Sequence, residues 1–196
     1  MLFARPKMVM GALLVASALN FGVAQEAAAQ CDRPQVLLVV DRSSSMLNSL
    51  PGGGTLWDGA RSAIDTMTTS FEDSIDFGLQ VFPLVATGGN PGGRCEPGAI
   101  EVSIGRNTSA SIQSELLEPP PESGNWTPMS QTLDAAFDYA PLRDADRESV
   151  VVLITDGWQF CDPYDPATRF DVVRSVERLR DEGITTYIVG FGGSVD

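Results

Sequence analysis

Residues 37–47 read LLVVDRSSSML, a run of apolar, β-favouring residues that stops abruptly at an aspartate, an arginine and three serines. Two other short stretches carry the same kind of atom: Thr127 in WTPMS, and Asp156 in LITDG at the end of a second apolar run. Asp41, Ser43, Ser45, Thr127 and Asp156 together offer carboxylates and hydroxyls, all hard oxygen donors and none soft. Such a set suits Mg²⁺, Mn²⁺ or Ca²⁺ rather than a thiophilic metal. The alternate spacing of Ser43 and Ser45 lets both hydroxyls turn toward one point if the loop between them is extended. With only two formal negative charges in the set, a bound divalent ion stays electrophilic and can accept an acidic group from outside.

Taken singly, each stretch is an ordinary turn, since Ser and Asp commonly follow strands and Asp-Gly is a common turn dipeptide. Their weight depends on the elements that carry them to one place. Residues 35–40 (QVLLVV) form a continuous apolar run, as in a parallel strand buried on both faces. Residues 56–71 place Leu56, Trp57, Ala60, Ala63, Ile64, Met67 and Phe71 at helical spacing. Residues 75–82 read as a second strand, 83–97 as a Gly/Pro-rich loop, and 99–104 as a short antiparallel edge strand. A short helix over 109–117 is stopped by Pro119, Pro120 and Pro121. A helix follows from Pro128 to Tyr139, with Pro128 at its first position. Residues 149–155 (SVVVLIT) give another buried strand, and 168–180 an amphipathic helix whose apolar side carries Phe170, Val173, Val176 and Leu179. Gly183 ends that helix, and 184–190 is a last strand. This alternation predicts an α/β fold, doubly wound, with a mostly parallel sheet and helices on both faces. In such sheets ligands sit outside the carboxyl ends of the strands, so the residues after Val40 and after Thr155 fall on one rim.

Composition excludes several functions. The net charge of −13, with Lys7 the single lysine, argues against a nucleic-acid partner, which requires clustered cations. The absence of histidine removes imidazole as base, nucleophile or zinc ligand. Arg5 and Lys7 precede an apolar run over 8–23, and Ala27, Ala28 and Ala29 follow it, the pattern of a secretory signal over residues 1–29. Asn20 and Gly22 interrupt that run, which is short for a membrane span. The expected organisation is a signal peptide over 1–29, a linker over 30–34 and one domain over 35–196. The mature protein is then exported to the periplasm, the cell surface or the medium, without membrane insertion. Three cysteines in an exported chain suggest one disulfide. Cys95 and Cys161 both follow strands on the rim, whereas Cys31 precedes the first strand, so the expected pair is Cys95 with Cys161.

The order DRSSSM, WTPMS and LITDG, each in its strand or helix context, resembles the von Willebrand factor type A (VWA) domain family and its metal ion-dependent adhesion site. The resemblance covers 35–196, and the strand TYIVGFG is also similar to the family's. It implies that Ser43, Ser45 and Thr127 ligate the metal directly, that Asp41 and Asp156 act through bound water, and that the function is binding: a carboxylate of a protein partner completes the metal. Asn125-Trp126-Thr127 is formally a glycosylation sequon, which a crowded ligand hydroxyl disfavours. The pattern departs from the family at the end of the chain, where a further helix, strand and closing helix are expected.

Two other functions fit less well. An enzyme with Asp41 as nucleophile lacks both a second acid at short spacing and any lysine in the mature chain to hold a phosphate. Pro51-Gly52-Gly53-Gly54 lacks the Gly-Lys-Ser/Thr ending of a phosphate loop and reads as a turn into the helix at Leu56. A structural module whose metal only stabilises the fold is the remaining alternative.

Overall fold

The computed structural model describes residues 32–84, 96–123, 126–161 and 165–191. Residues 1–29, expected to be a signal sequence, lie outside them, as do Cys31 and Cys95. The strands are β1 (Gln35–Asp41), β2 (Asp76–Phe82), β3 (Ala99–Gly105), β4 (Ser149–Thr155) and β5 (Thr185–Gly190). They form one sheet in the order β3-β2-β1-β4-β5. β1 pairs in parallel with β2 and β4, and β4 in parallel with β5, while β3 runs antiparallel to β2 at the edge. β1 is thus the middle strand, and all seven of its residues are buried. That is why its sequence is continuously apolar instead of alternating.

The helices are α1 (Leu56–Phe71), α2 (Ser109–Glu115), α3 (Met129–Asp138) and α4 (Asp171–Asp181). Alternate residues of β1 feed two cores. Val36, Leu38 and Val40 pack with Trp57, Ala60 and Ile64 of α1 and Ile112 of α2. Leu37 and Val39 pack with Met129, Leu133 and Ala136 of α3 and Leu179 of α4. The sheet is therefore covered on both faces, α1 and α2 on one and α3 and α4 on the other, as the alternation of elements predicts.

Local signals set the ends. Thr55 caps α1: its hydroxyl accepts from the Asp58 N–H, and the Asp58 carboxylate accepts from the Thr55 N–H, which closes a capping box. The Thr55 N–H, and next the Thr55 hydroxyl, which also donates to this carboxylate, hold the Asp58 carboxyl below the usual carboxylate range. The glycine turn is closed at its base by the Leu50 N–H donating to the Gly54 carbonyl and the Gly53 N–H donating to the Leu50 carbonyl, and its three glycines adopt positive φ. Gly183, at φ +81°, follows α4 as expected.

Several expectations are corrected. Ala63 and Phe71 of α1 are exposed, since the side of the helix toward the sheet is taken by Leu56, Trp57, Ala60 and Ile64. Residues 166–168 form a separate 3-10 turn capped by Asp165, so α4 begins at Asp171. Its apolar side is only half used: Leu179 is buried, but Phe170 and Val173 are 69% and 50% exposed. The reason is position, since α4 packs on α3 and on β5, the sheet edge, whose Tyr187 and Ile188 are also exposed. Pro128, expected as the first helical residue, is instead the residue preceding α3.

Candidate metal centre

The carboxyl ends of β1 and β4 lie side by side, with Val40 paired to Ile154. The next residues, Asp41 and Thr155, are joined through their side chains: the Thr155 hydroxyl donates to Asp41 Oδ2 at 2.6 Å. Asp41 Oδ1 accepts from the Ser43 N–H at 2.8 Å, a short side-chain turn that bends the chain off the strand end. The following segment is not extended. Ser43 is extended, but Ser44–Leu47 is a 3-10 turn, with the Met46 and Asn48 N–H groups donating to the Ser43 and Ser45 carbonyls. Met46, fully buried against the α1 side of the sheet, anchors that turn. The hydroxyls of Ser43 and Ser45 still meet, at 2.9 Å, by way of the turn. Ser45 then donates to Asp156 Oδ1 at 2.8 Å.

Thr127 arrives from mid-chain. Its N–H donates to the Phe160 carbonyl at 2.7 Å and its carbonyl accepts from the Phe160 N–H at 3.1 Å, which ties the segment before α3 to the segment after β4. Gln159 secures the same junction: its Oε1 accepts from the Ser130 N–H at 2.9 Å and its Nε2 donates to Gln131 at 2.8 Å. Pro128 offers no capping side chain, so Gln159 satisfies an otherwise unpaired N–H at the start of α3 from another element. Thr127, Ser45 and Asp156 line one cavity of about 260 Å³ together with Asn48, Gly157, Trp158 and Phe160. The five residues singled out by sequence thus meet at one rim: three in the cavity wall, Ser43 against Ser45, and Asp41 behind Ser43.

The electrostatics of the cluster are unusual for buried acids. Asp41 is fully buried, and burial pushes its carboxyl up to about 7. The bonds from Thr155 and Ser43 act against that shift, and the neighbouring Asp156 adds to it. Burial also raises Asp156, with the bond from Ser45 opposing. Among the described residues neither acid has a cationic partner. Arg42, which lies between Asp41 and Ser43 in sequence, bonds Glu118 instead. Two carboxylates near each other in a dehydrated place, with hydroxyl groups and no counter-charge, have the chemistry of a hard-cation site. The residues present therefore fit a divalent ion, although no group of three or more His, Cys, Asp or Glu side chains occurs among the described residues.

Sequence reasoning missed Thr155, Gln159, Asn48, Trp158 and Phe160. Thr155 could have been found, since it adjoins Asp156 on a strand paired with β1. Gln159 gave no signal, because its partner Ser130 belongs to a distant helix. Cys161 is buried and lies within reach of the Gln159 and Gln131 amides, while Cys95, its expected partner, is outside the described residues. So is Asn125 of the sequon, whose Thr127 is buried.

A family model described as the von Willebrand factor type A domain matches residues 35–196. No curated protein sequence matches. Among solved structures, the chain is similar to the conserved hypothetical protein BatB from Bacteroides thetaiotaomicron, at TM-score 0.57 and 18% identity over 80% of this chain and 66% of that one. It is similar to the manganese-loaded TRAP protein of Plasmodium vivax, at TM-score 0.57 and 15% identity over 85% and 60%. It is also similar to proximal thread matrix protein 1 of the mussel byssus with a zinc-occupied MIDAS motif, at TM-score 0.58 and 18% identity over 83% and 36%. The chain spans less than two thirds of each of these proteins, and at such identities the likeness concerns the fold.

Proposed function

The chain belongs to the von Willebrand factor type A domain family, and from that premise we propose that it is a divalent-cation-dependent binding module that takes an acidic group of a protein partner. Ser43, Ser45 and Thr127 hold the ion by their hydroxyls, and Asp41 and Asp156 orient those hydroxyls and bind it through water. The bound ion supplies an electrophilic centre for a carboxylate. The chain's own part is to fix the donors: Thr155 and the Ser43 N–H hold Asp41, Asp156 holds Ser45, and the Phe160 and Gln159 contacts hold the Thr127 segment. The observation that carries this reading is the fully buried Asp41 carboxyl, next to a second acid and without a cation among the described residues. The manganese named for the TRAP structure and the zinc-occupied MIDAS motif named for the byssus structure support a divalent ion. Mg²⁺ is the ion proposed here, with Mn²⁺ or Ca²⁺ as substitutes.

Binding, not catalysis, is the role. The module is exported, its signal over 1–29 removed, and works in the periplasm, at the cell surface or in the medium. Among the described residues no helix is long and apolar enough to cross a membrane. In this reading the disulfide partner of Cys161 is Cys95, beside the site. Calorimetry of the mature domain with Mg²⁺ or Mn²⁺ tests the reading: wild type gives binding heat, and Ser43→Ala and Asp156→Ala give little. Equal heats from all three proteins would end it.

A further inference from the structure

The cavity wall that is not made of oxygen donors is mainly aromatic, and one of its aromatics carries a cation. Trp158 lines the cavity and is 40% exposed. The Arg169 guanidinium lies over its ring, with Cζ 3.8 Å from the centroid, and 5.5 Å from the Phe170 ring. The segment is held in place, since Asp165 caps the 3-10 turn through the Ala167 N–H and the Arg169 N–H closes it on the Pro166 carbonyl. Arg33, Arg42, Arg147, Arg174, Arg178 and Arg180 each pair with a carboxylate. Arg61, Arg106, Arg143 and Arg169 have none among the described residues, and of these Arg169 is the one stacked on an aromatic ring of the cavity wall.

A guanidinium stacked on an aromatic ring keeps the N–H donors at its edge, and that edge is a fork that matches a carboxylate. Stacking on Trp also lowers the entropy lost when the fork closes. Arg169 touches the cavity wall through Trp158 but is not itself among the lining residues. It therefore addresses the part of a ligand that leaves the cavity, not the group seated among Ser45, Thr127 and Asp156.

We propose that Arg169, held on Trp158, binds a second carboxylate of the partner, so that the recognised segment carries two neighbouring acidic side chains. One acid goes to the cation site and the other to the guanidinium fork. This rests on the binding function proposed above and names the chemistry of its ligand. It also gives a role to an arginine that has no acidic partner among the described residues and stands beside a site for acids.

The test uses the Mn²⁺-loaded mature protein and capped short peptides with one aspartate or with two, the pair adjacent or separated by one glycine. Binding is read by calorimetry and by quenching of tryptophan fluorescence. Wild type is expected to bind the better di-acidic peptide roughly tenfold to a hundredfold more tightly than the mono-acidic one, the range of a charge-assisted pair. Arg169→Gln is expected to lose that preference, and Arg169→Lys to keep part of it because charge remains while the fork is gone. A Mn²⁺ titration of each variant checks that the cation site is intact. Equal affinity of wild type for both kinds of peptide, or an equal loss for both in Arg169→Gln, would overturn the proposal and leave the cation-dependent capture of a single acid standing. Binding of neither peptide by the Mn²⁺-loaded protein would overturn both.

Discussion

Asp41→Asn should reverse its effect on stability according to whether a divalent ion is present. In chelator, the wild-type carboxyl has a folded-state value near 7 against 3.8 in the unfolded chain. A raised value means that folding favours the protonated form. The contribution is fully present below pH 3.8 and is lost as pH rises through 7. Between pH 5 and pH 8 the loss from this one group is roughly 2 to 3 kcal/mol, out of a total stability on the order of 5 to 15 kcal/mol. Asn has nearly the same shape and cannot ionise. Its oxygen can accept from the Ser43 N–H, and its amide can donate to the Thr155 hydroxyl, which is free to rotate. Asp41→Asn should therefore flatten the fall in stability above pH 5 and, at pH 8 in EDTA, be the more stable protein. With Mg²⁺ the order inverts, because the ion stabilises only a protein that binds it. Urea unfolding at pH 5, 6, 7 and 8, with EDTA or Mg²⁺, measures all four cases. The difference between wild type and variant cancels the titrating groups other than Asp156, whose charge is coupled to that of Asp41. A wild type whose stability in EDTA does not fall relative to Asp41→Asn between pH 5 and 8 would refute the reasoning.

Three further outcomes follow from particular contacts. Gln159→Ala removes the acceptor for the Ser130 N–H and loosens the segment that carries Thr127; divalent affinity by calorimetry should fall about tenfold or more, and unchanged affinity would mean that the Phe160 bridge alone positions Thr127. Gly98→Ala places a methyl group 2.2 Å from the Val81 carbonyl oxygen, where backbone must shift; urea unfolding should show a loss of about 2 kcal/mol or more, and a neutral substitution would count against the close approach of β2 and β3. Thr55→Ala breaks the capping box of α1 and should cost about 1 kcal/mol, with metal affinity unchanged because the Thr55 side chain bonds only Asp58 and none of the oxygen donors of the site.

The readable part of this molecule is the part whose physics is periodic or local. β1 and β4 announce themselves because a strand between two layers of helices is apolar at every position, and that same burial fixes the rim on which Asp41 and Asp156 emerge. The end of α4 was legible in Gly183 because a left-handed residue there is a local requirement. Other features depend on partners far along the chain. Nothing near Gln159 indicates that it completes the first turn of α3, and nothing near Phe170 indicates that the sheet edge leaves it uncovered. The Ser43–Ser45 loop shows how a right placement can have a different cause: the hydroxyls converge through a 3-10 turn pinned by Met46, not through an extended loop. The Trp158–Arg169 stack was illegible for a related reason, since eleven positions separate residues that only the path of the chain brings into contact.

The most direct measurement is diffraction from crystals of the mature domain grown with Mn²⁺, using its anomalous signal to place the ion. A single strong peak bonded to the hydroxyl oxygens of Ser43, Ser45 and Thr127, with Asp41 and Asp156 one water away, is the expected result. A Mn²⁺-saturated crystal with no peak at the end of β1, or with the Thr127 hydroxyl out of bonding range of the ion, would contradict it.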